Sequence, residues 1–271
     1  MGNNMNMPRL GLGTWRLFGE EATNVVAQAI DLGYRHIDTA TRYENEQAVG
    51  KGIAQSGIER SQMFVTTKIW HDQLSSAAMQ ESAERSLSDL NMDYVDLLLI
   101  HWPSTDKDWD MTESLETLVQ IKQQGWAKHV GVANFTVPLL EKAWNIVGEH
   151  LQANQVEYHF GLQQQAVLNF TQSHNMMLTA YCPLARGDVK GFDVLQRIAD
   201  KHQASATQVV LAWLLQQDKV SAIPKASSRE HLLSNYQASQ LVLDAQDVAL
   251  IDALPKNNRT INPDFAPVWD E

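Results

Sequence analysis

Short apolar runs alternate with longer amphipathic segments along almost the whole chain. The run Val95–Ile100 is nearly continuous in apolar residues, which is typical of a parallel strand covered on both faces. Other short runs precede a helical pattern in the same way. The predicted strands are Leu10–Gly13, Arg35–Thr39, Phe64–Ile69, Val95–Ile100, Lys128–Val132, Gln155–Tyr158, Met177–Tyr181 and a last strand that begins with Ala222–Ile223.

Segments whose apolar positions recur every three to four residues lie between these runs and predict helices. Local signals mark helix ends, such as Gly33 after the first helix and Pro138 in the first turn of the fifth. The predicted helices are Glu20–Leu32, Glu44–Gln55, Ser75–Leu90, Thr112–Gln124, Pro138–Ile146, Leu162–His174, Phe192–Gln216, Ser228–Gln237 and Asp244–Ala253. The tail Asn257–Glu271 is too rich in proline and asparagine for regular structure.

The order of these elements predicts the fold. Eight strand–helix repeats without a Gly- or Ser-rich linker predict one domain over residues 1–271, of the α/β class, with the (β/α)8 or TIM-barrel architecture. A doubly wound open sheet is the rival. Its fingerprint G-x-G-x-x-G fails because Gly11-Leu-Gly13 is followed by Thr-Trp-Arg. The sequence also has no P-loop and no H-E-x-x-H motif, so the barrel is favoured.

Charge and composition narrow the functional classes. The 32 acidic and 21 basic residues give a net charge of −11, which disfavours nucleic acid and anionic membrane as partners. No apolar run approaches the roughly 18 residues that span a bilayer, and the N-terminus has no signal-like apolar region. The single cysteine, Cys182, suits a reducing compartment. We therefore expect a cytoplasmic monomer that binds a small molecule.

Candidate chemistry lies at the carboxyl ends of the first four predicted strands, which share one mouth in a barrel. A lysine beside a tyrosine should lower the pKa of the phenol, and a carboxylate should hold the ammonium in place. Such a tyrosine would protonate a developing alkoxide, a histidine would orient the carbonyl oxygen, and indoles would exclude water. The residues at these strand ends are Trp15, Asp38, Tyr43, Lys68, Trp70, His101 and Trp102.

The four polar side chains in this set also have ordinary structural interpretations. Asp38 would cap a helix, Lys68 would extend its stem along apolar surface, and His101 and Tyr43 would simply pack. Their recurrence at the same end of successive repeats favours a catalytic constellation. The nine histidines show no ligand-like spacing, so we predict no metal, with a metal-dependent barrel hydrolase as an alternative.

Segments spread over nearly the whole chain match one known family. They are Gly11–Trp15, Gly33–Ala40, Tyr43–Glu46, Thr67–Trp70, Asp93–Pro103, Gly131–Phe135, Asn154–Glu157, Ala180–Leu184 and Ile223–Lys225. On these segments the chain resembles the aldo-keto reductases. Within that family it is most similar to the bacterial group of 2,5-diketo-D-gluconate reductase B and methylglyoxal reductase, including the ending Pro267–Asp270.

The resemblance implies a barrel with NADPH lying extended across the mouth and hydride passing from the nicotinamide to a carbonyl carbon. It implies Tyr43 as proton donor in a tetrad with Asp38, Lys68 and His101. The other implied cofactor contacts are Asn134 and Gln155 at the carboxamide, Tyr181 stacked on the nicotinamide, and Pro183, Leu184, Lys225, Ser227, Ser228, Arg229 and Asn235. Trp15, Trp70 and Trp102 are the expected substrate contacts.

The phosphate end of this site departs from the family pattern. Hydroxyls, cations and backbone N–H groups where the last strand becomes a helix suit phosphate. However, Ala133 and Ala226 stand where serine is usual, and His231 stands where a phosphate-binding arginine is usual. These changes leave the preference for NADPH over NADH open.

The main functional hypothesis is NADPH-dependent reduction of aldehydes and ketones, such as methylglyoxal or a diketo sugar acid. The segment Ser104–Asp110 after the fourth strand is short, so we expect an open pocket that admits several small dicarbonyls and keto sugars. The alternative is an NADPH-binding redox sensor or regulatory subunit with little turnover.

Overall fold

The computed structural model of the protein describes residues 5–187, 189 and 192–270. Its strands form one eight-stranded sheet in sequence order, and each strand pairs in parallel with the next. The strands are β1 (Leu12–Gly13), β2 (His36–Asp38), β3 (Phe64–Ile69), β4 (Val95–Ile100), β5 (Ala127–Ala133), β6 (Leu151–Glu157), β7 (Met177–Tyr181) and β8 (Val220–Ala222).

The helices lie between the strands along the chain and pack on the outside of the sheet. The described α-helices are α1 (Gly19–Asp31), α2 (Glu46–Gln55), α3 (Ser76–Leu90), α4 (Met111–Gln123), α5 (Val137–Val147), α6 (Gln165–Ser173), α7 (Asp193–His202), α8 (Ala206–Gln216), α9 (Arg229–Gln237) and α10 (Ala245–Asp252). The predicted segment Phe192–Gln216 is two helices because Gln203 takes a left-handed conformation and Ser205 caps α8. No described helix is long and apolar enough to cross a bilayer.

The predicted alternation of eight strands with helices is confirmed, and the chain has the (β/α)8 fold. The bounds of β3, β4 and β7 agree with the sequence prediction. β6 begins at Leu151 rather than at the predicted Gln155, because two polar side chains in its first half find hydrogen-bond partners inside the protein. Gln152 accepts from Lys122 at 3.2 Å, and Asn154 donates to the Phe135 carbonyl at 3.0 Å.

The curled sheet brings its first and last strands side by side. Ladder pairing runs from β1 to β8, whereas the seam between β8 and β1 has an isolated parallel bridge between Leu10 and Ala222. Gly13 N donates to Pro224 O across the seam at 3.2 Å. A Cβ on Gly13 would lie 2.6 Å from Ile223 O, so this close approach requires glycine. Gly13, which matches the second glycine of the dinucleotide-binding motif, is therefore needed for the close contact between β8 and β1.

Alternation along the strands divides the core into two clusters. The larger cluster lies between the sheet and the helices and includes Leu98 and Ile100 of β4. The smaller cluster lies inside the curled sheet and includes Leu97 and Leu99, with Met7 from the segment before β1. Because side chains alternate faces along a strand, His101 at the end of β4 shares the inner face with Leu97 and Leu99. Because all eight strands are parallel, their carboxyl ends lie together at one mouth of the curled sheet.

Candidate active site

The predicted tetrad meets at the mouth of the sheet, around the Lys68 ammonium. Asp38 at the end of β2 and Lys68 in β3 are almost fully buried. Lys68 Nζ donates to Asp38 Oδ1 at 2.5 Å and to Thr39 O at 2.9 Å. It also donates to the Tyr43 hydroxyl at 3.4 Å, from the short 3-10 turn Thr41–Tyr43. The structure thus brings the carboxylate, ammonium and phenol into direct contact.

Burial changes the electrostatics expected from the sequence. The expectation of a lowered phenol pKa is wrong, because burial raises the pKa of Tyr43 and the Lys68 charge only partly offsets this. Burial alone would lower the pKa of Lys68, but Asp38 and Tyr43 outweigh it and hold that pKa above its ordinary value. Tyr43 therefore stays protonated and Lys68 stays charged near neutral pH.

His101 is the neutral member of the group. Burial, together with the Lys68 charge, holds its pKa well below the usual value. The His101 ring lies edge-on to Tyr43 with 5.6 Å between ring centroids. Its buried Nδ1 has no hydrogen-bond partner among the described residues. A neutral imidazole beside a protonated phenol gives two groups suited to donate hydrogen bonds to one carbonyl oxygen.

The predicted carboxamide residues are buried and already take part in hydrogen bonds. Gln155 Nε2 donates to Asp38 Oδ2 at 2.7 Å, so this residue also supports the tetrad. Asn134, in a left-handed conformation, donates to His101 O at 2.9 Å and accepts from the Tyr181 hydroxyl at 2.8 Å. These contacts fix the Tyr181 ring at the end of β7. A flat ring and two buried amides at one mouth fit a nicotinamide carboxamide.

A second polar network, which the sequence did not reveal, joins the loops after β1 and β2. The Thr14 hydroxyl donates to Asp38 O at 2.9 Å. Asn45 donates to Thr14 O at 2.9 Å and accepts from the Thr39 hydroxyl at 2.7 Å. All four residues are buried, so the network holds the backbone around Asp38 in place. The only indication of this network in the sequence was the position of Asn45, between Tyr43 and the start of α2.

Aromatic side chains form the walls of the mouth. Trp15 is half exposed and lies 4.9 Å from Tyr43, between ring centroids. Trp70 lies 5.0 Å from His101, and Trp102 is buried nearby. All three predicted tryptophans therefore belong to this region. Phe265, which the sequence analysis missed, contacts both Trp70 and Trp102 at centroid distances of 5.5 Å and 5.4 Å.

Phe265 belongs to the C-terminal tail, residues 257–270, which crosses this side of the mouth. The tail has no regular helix or strand, as predicted. The prediction of an open pocket was based on the segment Ser104–Asp110 alone and did not include the C-terminal tail. An irregular segment gives no periodic signal, so its aromatic residues could not be placed from sequence.

The predicted phosphate contacts gather where β8 leads into α9. Ser228 accepts from His231 N and caps α9, while Lys225 and Ser227 are exposed beside it. Arg229 is exposed and pairs with Asp31 at 2.9 Å. The first N–H groups of a helix have no intrahelical acceptor, so this end suits a phosphate. Asn235 is buried on α9, and Pro183 and Leu184 follow Tyr181 after β7.

The described residues contain no cluster of three or more His, Cys, Asp or Glu side chains that could hold a metal ion. What the mouth does hold is a protonated phenol, a buried ion pair and a neutral imidazole around one space. These groups suit proton transfer to a carbonyl oxygen, which is half of the chemistry of an oxidoreductase that reduces carbonyls. Comparison with known proteins agrees with that class.

Residues 9–256 match the aldo/keto reductase family. The chain belongs to this family and is an oxidoreductase. It is 43% identical over 268 residues to methylglyoxal reductase DkgB of Salmonella typhi, covering 98% of this chain and 100% of that protein. It is 39% identical over 264 residues to glyoxal reductase of Bacillus subtilis, covering 97% of this chain and 94% of that protein.

A solved structure gives the same result for the fold. It is named as a candidate 2,5-diketo-D-gluconic acid reductase B and superposes with a TM-score of 0.96 at 38% identity. The match covers 100% of this chain and 96% of that chain. Family membership supports a nicotinamide coenzyme and a small carbonyl substrate, in agreement with the geometry of the mouth.

Proposed function

We propose that the protein reduces small dicarbonyls or keto sugar acids to alcohols with NADPH, with Tyr43 as the general acid. The observation that carries the proposal is the buried Lys68 ammonium, which lies 2.5 Å from Asp38 Oδ1 and 3.4 Å from the Tyr43 hydroxyl. A phenol alone is a weak acid with a pKa of about 10. An adjacent cation stabilises the phenolate that forms as the proton leaves.

Each member of the tetrad has a distinct part in this mechanism. Tyr43 donates its hydroxyl proton to the oxygen of the substrate carbonyl as negative charge develops there. Lys68 stabilises the resulting phenolate, and Asp38 keeps Lys68 charged and in place. His101 donates a hydrogen bond to the same oxygen and so orients the carbonyl. The coenzyme, when bound, would supply the hydride to the carbonyl carbon.

Residues around the tetrad would hold the coenzyme and the substrate. Asn134 and Gln155 would bind the carboxamide, and the Tyr181 ring would lie against the nicotinamide, followed by Pro183 and Leu184. The 2′-phosphate end would use Lys225, Ser227, Ser228, Arg229 and Asn235. Trp15, Trp70 and Trp102 would exclude water around the carbonyl.

Two relatives are named for methylglyoxal and glyoxal, and the similar solved structure is named for a diketo sugar acid. These names support small dicarbonyls and keto sugar acids as the substrate class. The test is NADPH oxidation by purified protein with methylglyoxal, glyoxal, 2,5-diketo-D-gluconate and an aromatic aldehyde. Turnover with at least one dicarbonyl is expected. Absence of NADPH oxidation with all four would refute the proposal.

The pH dependence of reduction should be flat across the neutral range. The pKa of Tyr43 is raised, that of Lys68 is raised, and that of His101 is well below its usual value. Tyr43 and Lys68 should therefore keep their protons, and His101 should stay neutral, across the neutral range. Above that range, activity should fall as Tyr43 loses its proton. A kcat profile at saturating NADPH checks this, and a step within the neutral range would contradict it.

The exposed Arg229–Asp31 pair leads to a prediction about coenzyme preference. Both side chains are more than half exposed, so the pair contributes at most about 1 kcal/mol. Asp31 nevertheless competes with a 2′-phosphate for the Arg229 guanidinium. Asp31→Asn should lower the Kd for NADPH by about two- to fivefold and leave that for NADH unchanged, because about 1.4 kcal/mol corresponds to tenfold.

Fluorescence titration with both coenzymes measures these two constants. Glu230→Gln is the matched control, since Glu230 is an exposed acid on the same first turn of α9 but is not paired with Arg229. An equal effect of both variants would show a general charge effect instead of competition for Arg229. An unchanged NADPH Kd in Asp31→Asn would contradict the prediction directly.

A further inference from the structure

The C-terminal tail is attached to the end of β6 by one buried side chain. Glu157 is the last residue of β6 and is fully buried. Its Oε1 accepts from Thr260 N at 2.9 Å, from the Thr260 hydroxyl at 2.5 Å and from His159 Nε2 at 3.2 Å. Its Oε2 accepts from Ile261 N at 2.9 Å. Three of these four hydrogen bonds come from the tail.

This arrangement stabilises the ionised carboxylate. Burial alone would raise the pKa of Glu157, but the hydrogen bonds from His159, Thr260 and Ile261 outweigh it and hold the pKa below its usual range. The charge therefore strengthens each bond to the tail, since charge-assisted hydrogen bonds are about twice as strong as neutral ones. Both carboxylate oxygens are occupied, so Glu157 has no geometry for reaching a substrate.

The far end of the tail has its own attachment. Asp270 Oδ2 accepts from Val137 N at 2.7 Å, at the N-terminus of α5. Within the tail, Trp269 Nε1 donates to Asn262 Oδ1 at 2.9 Å. Phe265 lies between the two attachments, against Trp70 and Trp102 beside His101. The position of Phe265 therefore depends on both ends of the tail.

We propose that Glu157 is a positioning residue that fixes the C-terminal tail, and through it Phe265, against the substrate side of the mouth. The substrate part of this inference rests on the proposed carbonyl reduction. Glu157 acts through the tail and touches no reacting atom. Its loss should weaken binding of substrates that fill the space beside Phe265, and should affect the chemical step much less.

Glu157→Gln tests the proposal with little change in shape. The amide keeps one acceptor oxygen, but its NH2 group replaces Oε2 and faces the N–H of Ile261, which removes the charge and that bond. A buried donor left unsatisfied costs about 1–3 kcal/mol, or about five- to 150-fold in an opening equilibrium. Trypsin cleaves after arginine, and the Arg259–Thr260 bond lies directly at the attachment. Cleavage there should therefore become at least about fivefold faster.

Kinetics provide the second measurement. For an aromatic aldehyde, Glu157→Gln should raise KM by about fivefold or more and change kcat by less than about threefold. Thr260→Val removes only the hydroxyl bond and should give a smaller change in the same direction. Asp96→Asn is the matched control, because Asp96 is a buried acid that accepts from Val65 N at the opposite end of the sheet.

The outcomes separate this inference from the proposed function. Unchanged cleavage and KM in Glu157→Gln would overturn the inference, as would equally fast cleavage at Arg259–Thr260 in Asp96→Asn. A collapse of kcat at constant KM would also overturn it, because Glu157 would then act on the reaction itself. If Glu157→Gln fails to fold, Thr260→Val decides by the same criteria. If wild-type protein reduces no carbonyl, the proposed function fails, and tryptic cleavage alone decides whether Glu157 fixes the tail.

Discussion

Replacement of Tyr43 by phenylalanine should lower kcat for carbonyl reduction by about 10²- to 10⁴-fold, the usual contribution of general acid catalysis. Only the hydroxyl is removed, and with it the group that lies 3.4 Å from Lys68 Nζ. The ring remains, so its packing against Trp15 and His101 should persist. The Kd for NADPH should stay within about twofold, since Tyr43 offers the coenzyme no charge and no unique contact in the proposed mechanism.

Steady-state kinetics with methylglyoxal, together with NADPH fluorescence titration, measure the two effects of Tyr43→Phe. Tyr158→Phe is the matched control, because this buried tyrosine donates to Gln217 away from the tetrad. The control should lose some stability and keep its turnover. Turnover retained in Tyr43→Phe would remove Tyr43 from the acid role and leave the source of the proton to another group.

The Asp38–Lys68 pair should show a large and non-additive effect on stability. Asp38→Asn or Lys68→Met alone leaves one buried charge without its partner, which costs about 3–5 kcal/mol. The double variant removes both charges and should recover most of the lost free energy of unfolding. All three variants should lack carbonyl reduction, because the ammonium beside Tyr43 is either absent or no longer held in place.

Urea unfolding of the two single variants and the double variant gives the coupling between the charges. The remaining partners matter here, since Gln155 still donates to Asp38, and Thr39 O still accepts from Lys68. A double variant no more stable than the weaker single variant would contradict the expected coupling. Activity restored in the double variant would contradict the role given to the lysine.

The sequence predicted those strands best whose local pattern and final environment agree. β3 and β4 are buried throughout, β7 is buried up to the half-buried Tyr181, and the predicted bounds of all three strands were right. β6 was predicted too short because Gln152 and Asn154 look like loop residues. Only the folded structure supplies their partners, the Lys122 ammonium and the Phe135 carbonyl. The start of β6 thus depends on hydrogen bonds to residues distant in sequence, which the local pattern does not reveal.

The candidate site was predictable where it depends on strand ends. The two-residue period of a parallel strand places Asp38, Lys68 and His101 at one mouth once the eight repeats are recognised. The pKa of Tyr43 was not predictable, because its direction depends on how far burial outweighs the Lys68 charge. The catalytic and binding roles, the single domain, the monomeric state and the cytoplasmic location stay predictions.

The residues missed from the sequence are those brought in over long separations. Phe265 reaches the mouth through an irregular tail in which Glu157 and Asp270 make hydrogen bonds across 103 and 133 positions of sequence. Glu157 was visible in the segment Asn154–Glu157, but its partners Thr260 and Ile261 carry no motif. An irregular segment held by side-chain hydrogen bonds has no hydrophobic periodicity, so its path could not be predicted from the sequence.

The seam between β8 and β1 has a consequence for how the chain acquires its structure. Arg9 donates to Val220 O across 211 positions of sequence, and Leu10 bridges to Ala222. During synthesis β1 has no β8 partner until more than four-fifths of the chain has emerged from the ribosome. Until then, the sheet exposes two open edges that pair readily with other chains. The sheet can therefore close its β8–β1 seam only after residues near 222 become available.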